Sequence, residues 1–204
     1  MATWGPRLIS SDEAAKLADL TGARDDLEAA SGFCDRLAEV EIASPTSLVM
    51  LDALSTAIAV RYARCFTTGV RARLSDEVLA GLSDDLRSLH AYLLVVRNKH
   101  VAHSVNALEE NHVTIHVREP PDAPALRGVG TLQARSMVLG SEDAPRVREL
   151  CRTVVAAIDV LIEQQRALVE EHIRGLSLDE VYALPKPKAF EPDWARLHLP
   201  RSKQ

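Results

Sequence analysis

The chain is short of aromatics, of cysteine and of long apolar runs, and each shortage excludes something. Aromatic residues are 4% of the 204, too few for the aromatic and β-branched strands of an all-β sandwich. No apolar run reaches the roughly 18 residues that a transmembrane helix needs, so no membrane partner is expected. The three cysteines, Cys34, Cys65 and Cys151, are odd in number, far apart and free of any C-x-x-C. That pattern fits a reducing cytoplasm in which cysteine serves as a small core hydrophobe. The stretch "MATWGPRLISSDEAAK" lacks the apolar region of a signal peptide, and the expected location is therefore cytoplasmic. There is no glycine-rich phosphate loop and no His/carboxylate cluster at metal-ligand spacing, so neither a metal nor a cofactor is expected.

What is present favours helices. Apolar residues make up 47% and charged residues 26%, enough to bury a core and cover it. Ala, Leu, Val and Arg dominate, a mix suited to helical packing. The net charge of −5 argues against coating nucleic acid by bulk electrostatics. The charge is uneven, however. Residues 1–60 hold 4 Lys/Arg and 10 Asp/Glu, residues 61–104 hold 7 and 4 plus three histidines, and residues 105–204 hold 13 and 15. The basic segment ends in "LLVVRNKHVAHS", Leu93 to Ser104.

"SSDEAAKLADL" opens with capping residues and first-turn acids, and helical spacing then runs to about Ile42, with a possible break at "SGF". Ser44 suits an N-cap and Pro45 a first helical residue. From Leu48 to Phe66 the pattern is apolar on most sides and predicts a helix central to a bundle. Ser75 and Ser83 offer two further starts, the second leading to a helix that reaches about Ser104. "HVTIHVRE" alternates, "TLQARSMVLG" does so more weakly, and "PPDAPALRGVG" between them is loop-like, so a β-hairpin with a long connection is predicted. "SEDAP" starts the longest helix, with Val147, Leu150, Cys151, Val154, Val155, Ile158, Leu161, Ile162, Leu168 and Val169 as its buried stripe. The expected fold is mainly α: one domain over 1–184, a four- to five-helix bundle with a hairpin inserted at about 111–140. A proline-rich irregular tail, 185–204, follows, with Trp194 as an anchor.

On an ideal helix with Arg97 at zero, His90 falls near about +20°, Val101 near about +40° and His100 near about −60°. Leu93 and Leu94 lie on the same side. Arg97 thus shares a face with apolar residues, and a guanidinium there needs a carboxylate, carbonyls or a bound anion. His103 lies near about −120°. It approaches Arg97 only if the helix end distorts or if the partner is on another chain. The plainer reading is a helix C-terminus whose cations face the last carbonyls.

"RNKHVAH" resembles the Arg-x(4–6)-His motif of HEPN domains, with polar Asn98 directly after the arginine. "RYARCFTTGVR", Arg61 to Arg71, is similar to a companion stretch of bacterial HEPN-like proteins of the AbiU abortive-infection type. The resemblance covers roughly residues 45–175. It implies an all-α bundle that often dimerises and, in active members, a metal-independent endoribonuclease whose motif helices face each other across two protomers. Arg97 and His103 match its catalytic pair, and Asn98 the polar neighbour. Many HEPN domains are binding modules without activity, and the resemblance alone does not establish catalysis.

The chemistry suits those residues. Metal-free RNA cleavage needs a base for the ribose 2′-hydroxyl and a cation for the crowded phosphorane; imidazole and guanidinium supply them. Asn98, Lys99 and His100 would contact substrate. Arg61 and Arg64 share a helical face and, with Arg71 and Arg73, would extend a phosphate groove, with Tyr62 stacking a base. Pairing of these arginines with the acidic first helix is the favoured reading, and the phosphate groove its rival. His112 and His116 lie about 13 Å apart along a strand, too far to be a metal pair. The expected function is an RNA-cleaving or RNA-binding defence or toxin component, homodimeric, with RNA and a partner or antitoxin protein as its contacts. The rival is a non-catalytic helical module that binds a protein or nucleotide.

Overall fold

The computed structural model describes residues 4–69, 71–101, 108–119, 123, 125–136, 138–189 and 191, with no side-chain description at 100, 101 and 135. In order the elements are α1 (Asp12–Ala38), α2 (Pro45–Ala63), a 3-10 turn (Asp76–Leu79) and α3 (Asp84–Val96) with a π-helical turn (Arg97–Val101). Strands β1 (Glu109–Val117) and β2 (Leu126–Arg135) follow, then α4 (Ala144–Arg174) and α5 (Leu178–Ala183). This is a mainly helical bundle carrying a two-stranded antiparallel hairpin.

The helices start where cap chemistry dictates. Ser11 Oγ accepts from the Ala14 N–H at 3.1 Å, Ser44 Oγ from the Ser47 N–H at 3.2 Å and Ser83 Oγ from the Leu86 N–H at 3.3 Å. Each satisfies one of the first-turn donors that a helix leaves unpaired. Helix α1 buries Leu20, Ala23, Leu27, Ala30, Cys34 and Leu37, spaced alternately three and four apart so that they form one stripe. That stripe lies along α4, which buries Val147, Leu150, Cys151, Val154, Ile158 and Ile162. Helix α2 adds Leu51, Ile58, Ala59 and Tyr62 to the same core. The three free cysteines are buried in it, and burial pushes the Cys34 and Cys65 thiols up to about 12. They are core hydrophobes, not reactive groups.

Several boundaries differ from the sequence reading. Helix α1 ends at Ala38 and runs through "SGF" without a break, because the Ala30–Cys34 spacing keeps the stripe in phase and Gly32 meets nothing within 4 Å. Helix α2 is central only from Leu51 onward. Its first turn leaves Leu48, Val49 and Met50 exposed, Val49 by 70%. In α4, Gln165 is buried and donates to the Glu13 carbonyl at 3.2 Å, while Leu168 is largely exposed. Strand β2 begins at Leu126, inside the stretch read as loop. Pairing with β1 outweighs the two glycines there, with Ile115 opposite Val129 and a register irregularity at His116/Val117. Trp194 lies outside the described residues.

Candidate functional site

The chain reverses from α2 into α3 so that the two helices run antiparallel. Tyr62, near the end of α2, has its hydroxyl in a hydrogen bond with His90 Nδ1 of α3 at 2.8 Å, and α2 also meets the π turn that follows α3. Tyr62 is fully buried, with the Phe66 ring tilted against it at 5.1 Å and the His90 ring edge-on at 5.8 Å between ring centres. It does not face a base, contrary to the stacking role expected of it. Burial pushes the Tyr62 hydroxyl far above its ordinary range, so it remains a donor. Burial also lowers the His90 pKa, against the opposing charge of Asp76. The lowered pKa favours the neutral imidazole, whose Nδ1 shares the hydrogen bond with the Tyr62 hydroxyl.

Two turns further along, α3 changes character. The α-helical pattern stops at Val96, and Arg97–Val101 forms a π turn. A π turn widens the backbone ring from i→i+4 to i→i+5 and is enriched at functional positions. The helix end is thus distorted where an ideal wheel left Arg97 and His103 on different faces. Val96 is buried, Arg97 is half-buried, and Asn98 and Lys99 are exposed. Arg97 Nη1 donates to Asn98 Oδ1 at 2.9 Å. Among the described residues no carboxylate lies within ion-pairing distance of Arg97. Its charge is held by a neutral amide and is open to an anion. The His100 side chain and all of His103 lie outside the described residues.

Arg61 and Arg64 are drawn elsewhere. Arg61 Nη1 meets Asp26 Oδ1 at 2.6 Å, Arg64 Nε meets Asp26 Oδ2 at 3.2 Å, and Arg71 Nη2 reaches the same Oδ2. Burial of Asp26 alone would raise its pKa. Hydrogen bonds from Arg71 and Arg61 and the charge of Arg64 outweigh that and hold it below the usual carboxylate range. These arginines do lean on the acidic first helix. The Tyr62–His90 contact sets the level of Arg61 on α2, and Arg97 stands seven residues beyond His90, about 10 Å along the axis. The two cation groups are separate features of the surface. Sequence spacing showed that Arg61 and Arg64 share a face; it had no signal for Asp26, 35 residues away, or for Arg71 joining it.

The hairpin carries its two histidines on one face with Glu110, where His112 Nε2 lies 3.3 Å from Glu110 Oε2. On the other face Val113, Ile115, Val117, Leu126 and Val129 are between 57% and 75% exposed. Among the described residues no group of three His, Cys, Asp or Glu side chains is arranged to hold a metal ion, and no helix is long and apolar enough to cross a membrane. Compared with family models, with curated proteins and with solved structures, the chain matches none of them.

Proposed function

We propose that the chain is a HEPN-like protein that binds and cleaves RNA without a metal, acting as a homodimer in a defence or toxin role. The observation that carries this reading is the π turn at Arg97. A helix packed on the core ends by presenting Arg97, Asn98 and Lys99 together, with the guanidinium oriented by Asn98 and no carboxylate in ion-pairing reach among the described residues. An arginine so held is ready to take a phosphate bidentately. His103, in motif spacing to it, is the base for the ribose 2′-hydroxyl or the acid for the leaving 5′-oxygen. The two charges of the motif stabilise the phosphorane. Lys99 and His100 complete the contacts to the strand.

The dimer reading draws on the same end of the bundle. Leu48, Val49 and Met50 are exposed at the start of α2, the helix that also meets the π turn. An apolar patch on that helix suits a two-fold contact that would bring two Arg97–His103 pairs into one cleft. The test is cleavage of a single-stranded RNA and of its all-deoxy twin in excess chelator. RNA is expected to be cut to fragments ending in a 2′,3′-cyclic phosphate, and the deoxy strand to remain whole. Cutting of both strands, or loss of cutting in chelator, contradicts the proposal.

A second reading, a non-catalytic interaction module, has its own support in the hairpin. Two strands alone are marginal in water, and an exposed apolar face on them suits a covering protein. RNA bound but never cut, with a partner protein masking that face, would favour it.

A further inference from the structure

Asp26 is almost fully buried, at 5% side-chain exposure, and its two oxygens receive three guanidinium groups. One negative charge cannot balance three positive ones. Among the described residues Asp26 is the one carboxylate in ion-pairing reach of Arg61, Arg64 or Arg71. The other acids nearby on α1 have partners of their own: Glu28 pairs with Arg24 at 2.8 Å, Arg24 also holds Asp159 at 2.6 Å, and Asp19 accepts the Ala72 N–H at 3.0 Å. Three guanidinium groups thus share one carboxylate, and the excess is one of N–H donors over acceptors.

The excess faces water on one side. The Arg61 and Arg64 side chains are 43% and 47% exposed, against 23% for Arg71. Each guanidinium has five N–H donors, and Asp26 uses few of them. Gly22 is part of the construction: a Cβ there would lie 2.6 Å from Arg71 Nη1, so the missing side chain lets Arg71 cross α1 to reach Asp26. Asp26 acts as a buried post that gathers three arginines from a helix and a loop into one place.

We infer that this Arg61–Arg64–Arg71 cluster is a binding site for a phosphate dianion, either free phosphate or the terminal phosphate of a larger molecule. A phosphomonoester carries about −1.5 to −2 charges near neutrality and presents three strongly accepting oxygens to those donors. An internal phosphodiester presents only two and carries one charge. Planar guanidinium groups bind such an anion bidentately. The site is independent of Arg97 and stands whether or not that motif cleaves RNA.

The test is phosphorus NMR of inorganic phosphate with the full chain, ionic strength held constant with chloride. Saturable broadening is expected with the wild type and with Arg97→Gln, and at least fivefold weaker binding with Arg64→Gln. Arg64 is chosen because its contact with Asp26 is the longest of the three. In chloride buffer Arg64→Gln should unfold at or above the wild-type temperature, since a like charge has been removed. A 5′-phosphorylated deoxyoligonucleotide that displaces phosphate where its 5′-hydroxyl twin does not identifies a nucleic-acid end as the source; displacement by neither identifies free phosphate or a small monoester. Absence of saturable binding, equal binding by Arg64→Gln, or a fall of several degrees in that variant overturns the inference.

Discussion

Burial of His90 beside Tyr62 and Phe66 disfavours its imidazolium, and this makes the fold sensitive to acid. Its pKa is lower folded than unfolded, so the unfolded chain binds more protons between the two values. The stabilising contribution is whole above the ordinary value of about 6.5 and is lost as pH falls through the folded one. Thermal unfolding followed from pH 7.5 to 5 should show a falling midpoint, and His90→Gln should flatten that slope. Asp26 works in the same direction lower down: its depressed pKa contributes stability above about 4 that disappears on further acidification. Removing the charge outright leaves three arginines facing a neutral amide. Asp26→Asn should cost about 2–3 kcal/mol by denaturant unfolding, on the lower side for a broken buried ion pair because the guanidinium groups still reach water. At Arg97 the issue is shape rather than charge. Arg97→Lys keeps the cation and loses the planar fork, so RNA binding should persist while single-turnover cleavage falls about 10²-fold.

At the scale of elements, what could be read from sequence was local. Ser11, Ser44 and Ser83 cap the helices they were expected to cap, because capping depends on a side chain and the next three residues. The stripe of α4 followed from spacing alone, apart from Leu168, which is exposed, and Gln165, whose burial depends on a carbonyl of α1. Strand β2 was misjudged because "LRGVG" has loop composition and only the facing β1 makes it a strand. The convergence of Arg61, Arg64 and Arg71 on Asp26 was half legible: acidic α1 was the expected partner, but which carboxylate, and that one serves three arginines, depends on tertiary structure. Of the candidate site, Arg97 and its neighbours stood out through the apolar run that precedes them. The π turn had no signal in composition. The hairpin makes a separate prediction. Its exposed apolar face should be covered by association, so Ile115→Lys should leave the helical circular dichroism unchanged and reduce self-association or partner capture in sedimentation velocity.

At the scale of the whole molecule, a net charge of −5 means that the proposed RNA binding would rest on a local basic surface rather than on the field of the chain. In that proposal the end of α3 at the π turn supplies the surface, and the Asp26 cluster stands apart from it as a site for free or terminal phosphate. The exposed apolar first turn of α2 ties assembly to activity in the proposed mechanism. Val49→Glu with Met50→Glu should leave the fold intact, shift the protein to monomer and remove RNA cleavage together, as read by sedimentation and by gel assay on the same sample. The most direct measurement is cleavage of single-stranded RNA by wild type and by His103→Ala, each purified free of contaminating nuclease and matched for folding by circular dichroism. The account predicts that the variant binds RNA as the wild type does and cleaves it at least about 10²-fold more slowly. Wild-type rates in the His103→Ala protein would contradict it.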